Sequence, residues 1–464
     1  MSDQKRDNIN IDVLIVGGGP VGLFAGLQLC NKGVNPKSIK IIDKRPKQMK
    51  WAKASGIQSK SMELFKSISN DLIDNIFNRA LKIGSFNVGC YDNDRNDVSI
   101  VLKGKLDSEF DYSTFCEQWY TEQCIAKELN DKYGIKLERN IELIDFVDNK
   151  KYIKCDILDK NNNTKYNINT KYIIGSDGGR SFIRNKLGIS FNGHSYDRGL
   201  LIYEGHIDGS KDLVNGLFMK FGRHGFIFST ALPENKVLVV FEISDEQKNA
   251  YNDNNGKVKL TENDWNNLFQ SRGVNVTVKG EPIWVSYFKL SDKQAGKYSN
   301  GDNIFLCGDA CHIHSPLGGQ GMNMGIQDAN NIAWKLSLVL NNISNKSILN
   351  SYHVERHSID KQVLKFVDMQ HTNVTSLNDS ALKRALTSRL LLPIVTSFPI
   401  IVKIIANTIG ELSYTYKNVS SNNDDNNLNM EHYIKPPVFF EILKRREQNI
   451  NRLIRKRLSA GDRM

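Results

Sequence analysis

Residues 303–336 read NIFLCGDACHIHSPLGGQGMNMGIQDANNIAWKL, and this stretch predicts a strand, a glycine-rich loop and a helix, in that order. The strand is expected over 304–307, with a turn at Gly308-Asp309 and a helix beginning near Gly321. Apolar residues recur at helical spacing and predict one buried face: Met322, Ile326, Ala329, Ala333 and Leu336. The free N–H groups and partial positive charge of such a helix start favour an anionic ligand in the loop, with Asp309 accepting hydrogen bonds from its hydroxyl groups.

A second pattern, near the N-terminus, predicts a dinucleotide-binding βαβ unit. Residues 11–16 (IDVLIV) have the composition of a buried strand, and three glycines then complete a G-x-G-x-x-G spacing: Gly17, Gly19 and Gly22. These glycines allow a tight turn, a close backbone approach to a pyrophosphate and close helix–strand packing. A second strand over 38–42 leads to Asp43, at a distance that suits the ribose hydroxyls of an adenosine.

A third pattern lies at 172–181 (YIIGSDGGRS), where a strand ends in Asp177-Gly178 and is followed by Arg180 and Arg184. By itself it predicts no more than the β-turn that Asp-Gly commonly forms.

Taken together, GGGPVG, GSDGGRSFIR and GDACHIHSPLGGQGMN occur in the order found in one family. The chain resembles the FAD-dependent aromatic monooxygenases of the p-hydroxybenzoate hydroxylase superfamily, and most closely the phenol 2-monooxygenase-like branch, over roughly residues 8–420. The resemblance implies that the first motif binds the ADP half of FAD. It also implies that the middle motif serves both FAD and NAD(P)H, and that the third holds the ribityl chain and the isoalloxazine ring.

The resemblance assigns FAD contacts to the following residues: Gly17, Gly19, Pro20, Gly22, Asp43, Lys53, Gln118, Asp177, Asp309, Pro316, Gly319, Gln320, Gly321, Met322 and Asn323. The backbone N–H groups of 319–323 are expected to stabilise the anion on the reduced flavin. No second G-x-G-x-x-G follows a strand, so NADPH or NADH is expected to dock on the same domain, at Asp177, Arg180 and Arg184. An Arg can pair with a pyrophosphate or 2′-phosphate, although Arg184 is also compatible with a salt bridge on a helix face.

The chemistry that the resemblance implies is hydroxylation of a phenolic or polyketide-like aromatic ring, with NAD(P)H and O2 consumed through a flavin hydroperoxide. An epoxidase or halogenase of the same fold stays open as an alternative, as does a non-catalytic protein of the prenyl-Rab escort type. The chain departs from the branch at Ser55, where relatives often have Asp, and at Lys60, where they have Arg. No catalytic residue is therefore assigned. Residues 459–464 resemble the segment that leads into a thioredoxin-like domain in longer relatives.

Composition limits the classes of partner. The net charge of +11 is scattered, and no basic run is interleaved with aromatic residues, so nucleic-acid binding is not expected. The seven cysteines are odd in number and dispersed, which favours a reducing compartment and a cytoplasmic location. The strand and turn explain the placement of Cys307, Cys311, His312 and His314, so no metal is expected. Residues 1–10 are polar and predict no signal peptide. A homodimer is compatible with the sequence.

The motifs also predict the organisation of the chain as an α/β fold. A discontinuous FAD-binding domain is expected over 8–82, 113–190 and 286–345, and a substrate-binding domain over 83–112 and 191–285. The second domain is expected to hold one antiparallel sheet with strands near 200–206, 225–231, 237–243 and 283–288. Residues 346–464 are expected to be a helical C-terminal region with an Asn-rich linker at 421–429.

Two C-terminal segments carry expectations about membranes. The apolar window 390–406 is interrupted by Pro393, Pro399 and Lys403, and we predict packed helices there, with an interfacial segment as the alternative. Residues 439–458 combine apolar and basic residues and predict a solvated amphipathic helix that packs on the body, with a helix that touches a membrane surface as the alternative. No membrane association is expected.

Overall fold

The computed structural model describes residues 9–92, 97–209, 216–251, 258–316 and 319–416. The predicted linker at 421–429 and the predicted helix at 439–458 lie outside these residues. The α/β fold class is confirmed, because the described residues combine a largely parallel sheet, a largely antiparallel sheet and many helices.

The first sheet has six strands in a row, and four of its ladders are parallel. Its strand order is Ser299–Asn300, Ile304–Leu306, Thr164–Gly175, Ile9–Val16, Ile39–Asp43 and Leu137–Arg139, with Ile153–Asp159 and Ile141–Asp148 added in antiparallel pairing. The central strand ends in a run of fully buried residues, Val13 to Ile15, as expected for a strand covered on both faces. The βαβ unit predicted at the N-terminus is thus present, with Ile9–Val16 parallel to Ile39–Asp43.

The second sheet is antiparallel except for one parallel ladder, between Leu217–Phe221 and Ser85–Cys90. Its strand order is His312–Ile313, Thr277–Ala295, Phe191–Asp208, Lys236–Ile243, Ile227–Leu232, Leu217–Phe221, Ser85–Cys90 and Val98–Val101. The strands predicted near 200–206, 225–231, 237–243 and 283–288 all lie in this sheet. One strand, Thr277–Ala295, runs across the domain boundary that we predicted at 286, because it pairs along most of Phe191–Asp208. A small third sheet joins Gly56–Ile57, Ser113–Phe115 and Leu81–Ile83.

Helices cover the sheets and connect them. The α-helices are Pro20–Asn31, Ser59–Lys66, Asn70–Phe77, Gln118–Tyr133, Phe182–Lys186, Asp245–Tyr251, Glu262–Gln270, Gly321–Leu340, Ser351–Thr375, Ala381–Leu386, Leu392–Ser397 and Pro399–Ile409. Short 3-10 segments are Pro36–Ser38, Gly308–Ala310 and Lys346–Asn350, and a π-helical turn covers Thr387–Leu391.

The second sheet buries a different apolar layer on each face. One layer packs Phe241 against Trp265 and Phe269 of the helix Glu262–Gln270. The opposite layer contains Leu200 and Ile202. Glu204 has the same strand parity as these two residues, and its carboxylate accepts a hydrogen bond from the Ala52 N–H at 2.9 Å. The second layer therefore faces the segment after the strand Ile39–Asp43. We call it the inner apolar layer.

The apolar window 390–406 is helical, as predicted, but it is less packed than predicted. Val395, Val402 and Ala406 are buried, while Leu390, Leu391, Phe398 and Ile400 are exposed. The expectation of packing holds for one side only, because the body of the protein covers one face of these helices.

Candidate cofactor site between the two sheets

The glycine turn at 17–22 brings strand, turn and helix too close together for side chains at two of its glycines. Gly17 has a φ of +117°, which favours glycine, and its N–H donates to the Ile42 carbonyl at 2.9 Å. A Cβ on Gly22 would lie 2.0 Å from the Gly17 carbonyl oxygen. A Cβ on Gly19 would instead meet nothing within 4 Å. Gly19 caps the helix Pro20–Asn31 without a side-chain hydrogen bond, so this open space lies at a helix start with unpaired N–H groups.

Asp43 lies directly beneath this turn. Its Oδ2 accepts from the Gly18 N–H at 2.8 Å, and its Oδ1 accepts from the Arg45 N–H at 2.8 Å. Burial alone would raise the pKa of Asp43, but hydrogen bonds from Arg45 and Gly18 hold that pKa below its usual value. The carboxylate is therefore an anionic group fixed next to the glycine turn by Gly18 and Arg45, and its contact with a ribose stays a prediction.

The segment after Gly175 closes the turn from the neighbouring strand. The Ser176 hydroxyl lies 3.1 Å from the Gly17 carbonyl oxygen and donates to it. Asp177 Oδ2 accepts from the Ile183 N–H at 3.1 Å, and burial raises the pKa of Asp177. Asp177 thus organises the start of the short helix Phe182–Lys186, and its contact with a nucleotide stays a prediction.

The two arginines predicted to bind NAD(P)H lie in different surroundings. Arg180 is exposed. Arg184 is buried: its guanidinium donates to the carbonyl oxygens of Ala310 at 2.8 Å and Gly179 at 2.9 Å, and it lies 3.8 Å from the centre of the Phe191 ring. Because its terminal nitrogens serve these carbonyls, the geometry favours a structural role for Arg184. Arg184 therefore does not form the salt bridge on a helix face that the sequence also allowed. The contact with NAD(P)H stays a prediction, and of the two arginines only Arg180 is exposed to make it.

The loop 308–323 passes from the first sheet to the helix Gly321–Leu340. Asp309 is exposed at its beginning, directly after the strand Ile304–Leu306. Gln320 caps the helix without a side-chain hydrogen bond, and both polar atoms of its fully buried amide have no partner among the described residues. Buried polar atoms are nearly always paired in folded proteins. The unpaired amide, with the free N–H groups of a helix start, therefore fits a polar ligand in this loop.

Asn323 uses its side chain to tie this loop to the segment at 56–58. Its amide nitrogen donates to the Gly319 carbonyl at 2.7 Å and to the Gly56 carbonyl at 3.0 Å, and its amide oxygen accepts from the Gln58 N–H at 2.9 Å. We predicted a cofactor contact for Asn323. Since its side chain is fully used by the protein, it holds the loop in shape, and any cofactor contact would come from its backbone.

A buried ion network supports the loop from behind, and sequence reasoning did not find it. Asp328 accepts from the Arg356 Nε at 2.6 Å and from the Gly308 N–H at 3.0 Å, and it lies 2.8 Å from His312 Nε2. Asp360 pairs with Arg356 at 2.5 Å. Acids and bases on helices usually mark solvent-exposed faces, so only the position of Asp328 on the buried face of its helix could have signalled this network.

The network perturbs the titration of its members. Burial alone would lower the pKa of His312, but the carboxylates of Asp360 and Asp328 raise it to about 8. Burial raises the pKa of Asp360 to about 7. Burial alone would raise the pKa of Asp328, but Arg356 and His312 hold that pKa below the usual range. Asp328 is thus the permanently charged centre to which the loop is attached.

Cys311, His312 and Asp328 place possible metal-ligand atoms within 4.8 Å of one another. Asp328 is already bonded to Arg356 and His312, and burial raises the pKa of the Cys311 thiol well above its usual value. This geometry favours an ion-pair network over a metal centre.

The loop also contacts the second sheet, beside the inner apolar layer. The Ser315 N–H donates to Asp292 Oδ1 at 3.1 Å, and the Tyr196 hydroxyl lies 2.7 Å from Asp292 Oδ2 and 2.5 Å from Asp368 Oδ1. Tyr196 packs against the inner apolar layer. The loop that follows the first sheet therefore forms the boundary between the nucleotide-like cradle and an apolar, aromatic surface.

Gln118 and Lys53 belong to, or contact, the segment that follows the strand Ile39–Asp43. Gln118 begins the helix Gln118–Tyr133 and donates from its amide to Glu122 at 2.7 Å, and its N–H donates to the Ala52 carbonyl. Lys53 is exposed and has a φ of +38°. Ser55 is buried, and Lys60 pairs with Glu63 at 3.1 Å.

Comparison with known proteins agrees with this architecture. Residues 10–367 match the model of the FAD binding domain family. The chain is 32% identical to pentachlorophenol 4-monooxygenase from Sphingobium chlorophenolicum over 77% of its length and 64% of the relative's. It is 28% identical to rifampicin monooxygenase from Streptomyces venezuelae, over 76% of this chain and 69% of that protein. The chain therefore spans about two thirds of the length of these relatives.

Solved structures share the fold. The structure of p-nitrophenol 4-monooxygenase from Pseudomonas putida superposes with a TM-score of 0.73 at 18% identity, over 87% of this chain and 98% of that chain. The flavin-dependent monooxygenase PieE, solved with FAD and substrate, has a TM-score of 0.67 at 20% identity, over 88% of this chain and 72% of that one. With the glycine turn, Asp43, and the loop 308–323 all in place, the family match confirms the resemblance seen in the sequence: this chain belongs to the FAD binding domain family.

Proposed function

We propose that the protein is a FAD-dependent monooxygenase that uses NAD(P)H and O2 to hydroxylate a phenolic or polyketide-like aromatic compound. The observation that carries the proposal is the position of the loop 308–323, which has the FAD cradle on one side and the inner apolar layer on the other. A cofactor whose reactive ring lies in this loop meets an apolar, aromatic surface suited to an aromatic ring. The names of the relatives support the same activity, since they are a pentachlorophenol 4-monooxygenase and a rifampicin monooxygenase.

The chain supplies binding, orientation and exclusion of water, while FAD, when bound, supplies the redox chemistry. When FAD is bound, the space at Gly19 would take the pyrophosphate, and Asp43 would face the adenosine ribose. Asp309 would accept from the ribityl hydroxyls, and the N–H groups at 319–323 would hold the anionic edge of the ring. The inner apolar layer keeps water away from the reacting atoms.

One step concerns the polar group of the substrate. Tyr196 has a single hydroxyl proton but lies within hydrogen-bond distance of two carboxylates, and burial raises the pKa of Asp292. The Tyr196 hydroxyl therefore donates to one of these carboxylates at a time, and Tyr196 and Asp292 form a polar pair beside Ser315. We place the hydroxyl group of the aromatic compound near this pair, because Ser55 lacks the carboxylate that relatives often have there.

The activity is tested with the purified full chain. The yellow chromophore should be FAD and should pass entirely into the supernatant when the protein is denatured, since the cradle holds it without a covalent bond. NAD(P)H oxidation should then be stimulated by members of a panel of phenols and polyketides, with one oxygen atom added to the product by mass.

Two results would contradict the proposal. NAD(P)H oxidation that no aromatic compound changes would leave a flavoprotein without hydroxylase activity. A halide requirement with a halogenated product would identify the halogenase alternative. NADH and NADPH are compared in the same assay.

The co-substrate site is tested with two neighbouring arginines. Arg180→Ala should raise the KM for NAD(P)H and leave bound FAD unchanged, because Arg180 is exposed beside the Asp177 turn. Arg184→Ala serves as the control, and it should lower the melting temperature because it removes buried hydrogen bonds to Ala310 and Gly179. An unchanged KM for NAD(P)H in the Arg180 variant would show that NAD(P)H does not bind at Arg180.

A further inference from the structure

The helices near the end of the described chain expose apolar side chains on their outer surface. They comprise Ala381–Leu386, the π-helical turn Thr387–Leu391, Leu392–Ser397 and Pro399–Ile409, and we call them the C-terminal hairpin. Six of their large apolar side chains are exposed: Leu382, Leu386, Leu390, Leu391, Phe398 and Ile400. Isolated exposed apolar residues are ordinary, whereas a group of this size marks an interaction surface.

Three of these side chains lie in a row along the helix, and two others lie at a sharp bend in the chain. Leu382, Leu386 and Leu390 follow one another at intervals of four residues, which places them on one face of the helix. The chain then bends by 94° between the segments Ala381–Ser397 and Pro399–Ile409, with Phe398 and Ile400 exposed at the bend. No single helix among the described residues is long and apolar enough to cross a membrane, but this bent pair passes the same length and composition test.

The opposite face of the C-terminal hairpin packs against the body of the protein. Val395, Val402 and Ala406 are buried, and Leu392 packs on the inner apolar layer. The hairpin therefore has two apolar faces, one turned to the body and one turned outward. Burial in the core accounts for the inner face alone.

The charge of the segment indicates what its outer face binds. Residues 380–410 contain no Asp or Glu and four basic residues. Arg384 pairs inward with Asp92 and Lys403 pairs with Asp107. Lys383 and Arg389 are exposed, and neither forms an ion pair within the described part of the chain. An apolar surface with basic side chains beside it complements an anionic lipid surface.

The basic charge of this surface also argues against two other binding partners, namely a second copy of the chain and residues 417–464. A second copy of the chain docked through the same face would bring two basic surfaces together, which costs free energy through like-charge repulsion. Residues 417–464 are themselves net basic, so their charge does not complement the patch.

We propose that the outer face of the C-terminal hairpin docks onto an anionic phospholipid surface. The row from Leu382 to Leu390 lies in the interface, and the corner at Phe398 and Ile400 enters the acyl region. Basic residues contact the headgroups. The chain rests on one leaflet without crossing it, and this reverses our sequence expectation of no membrane association. It brings the inner apolar layer next to a source of lipophilic aromatic compounds, although docking stands independently of the proposed hydroxylation.

Vesicle flotation with the full chain tests the proposal. Vesicles of equal parts phosphatidylcholine and phosphatidylglycerol should carry the protein, and vesicles of phosphatidylcholine alone should carry less. Leu382→Asp with Ile400→Asp should weaken binding roughly tenfold or more, because two side chains no longer enter the apolar region. Arg389→Gln should weaken it about fivefold, as expected for one basic residue at an anionic surface.

A matched control is available at Ile343, which is 70% exposed, compared with 69% for Ile400, but lies outside the hairpin. Ile343→Asp should float like the unchanged protein. Absence of the unchanged protein from both kinds of vesicle would overturn the proposal. So would equal losses in the control and the hairpin variant, or a concentration-dependent dimer that only the hairpin variant abolishes. Binding that survives the hairpin substitutions would place the contact elsewhere on the chain.

Discussion

The two halves of the cofactor cradle are built by different physical means. The glycine turn at 17–22 is made of backbone, where a Cβ on Gly22 would lie 2.0 Å from a carbonyl oxygen. The loop 308–323 instead rests on buried charges, with Asp328 bonded to Arg356 and to the Gly308 N–H. Steric fit of the backbone is encoded locally, whereas a buried ion pair needs partners from a distant helix. Each half should therefore fail in its own way when it is altered.

The largest effect is expected from the buried network. Arg356→Met leaves Asp328 and Asp360 buried without their guanidinium, and removing one partner of a buried ion pair costs about 3–5 kcal/mol. The free energy of unfolding, measured by denaturant titration, should fall by that amount, and bound flavin should be lost with it. Lys127→Met is the control, because its pair with Asp131 is exposed. Equal losses in the two variants would contradict a special role of the buried network.

The glycine turn is expected to show the next largest effect. Gly22→Ala forces a Cβ against backbone and should cost about 3 kcal/mol of stability, at the top of the range for overpacking. Gly19→Ala is the matched variant, since its Cβ meets no described atom within 4 Å. It should keep the melting temperature of the apoprotein and still bind FAD weakly, because the methyl group occupies space that the pyrophosphate needs. Normal flavin binding by the Gly19 variant would show that the pyrophosphate does not bind at this helix start.

Asp309 is predicted to contact the same cofactor as the glycine turn. Asp309→Ala removes charge-assisted hydrogen bonds to hydroxyl groups worth about 1.5–3 kcal/mol. FAD affinity, measured by fluorescence quenching of added FAD, should decrease roughly ten- to a hundredfold. Asp309 is exposed, so folding should be unaffected. A variant that folds and binds FAD like the unchanged protein would rule out this contact.

The smallest expected effect is the change in stability with pH that the buried ion network causes. The pKa of His312 is raised to about 8 in the folded chain, above an unfolded value of about 6.5. Its stabilisation is therefore fully present below about pH 6.5 and is lost as the pH rises through about 8, a change of about 2 kcal/mol. The raised pKa of Asp360 acts in the same direction up to about pH 7.

Melting temperatures between pH 6 and 9 check this prediction. His312→Gln keeps a donor for Asp328 but does not titrate, so its melting temperature should depend less on pH in this interval. A decrease of the same size in both proteins would assign the pH dependence to other groups.

The sequence by itself determined the parts that depend on local backbone geometry. Strand, glycines, helix and Asp43 lie within a few dozen residues, and each residue type is required by sterics or by a helix start. The position of Asp309 after the strand Ile304–Leu306 and the family of the chain followed from the same local patterns.

Only the tertiary structure decided which charges are buried and which apolar faces are covered. Arg184 is compatible in sequence with a phosphate contact, yet the carbonyls of Gly179 and Ala310 enclose it. The burial of Arg356 has no local signal, because its i,i+4 pair with Asp360 is a pattern typical of exposed helix faces and its other partner, Asp328, lies on another helix. The exposed row of the C-terminal hairpin has the same composition as a buried one. An apolar pattern shows that a face avoids water when it can, but what covers that face depends on contacts between residues far apart in the chain.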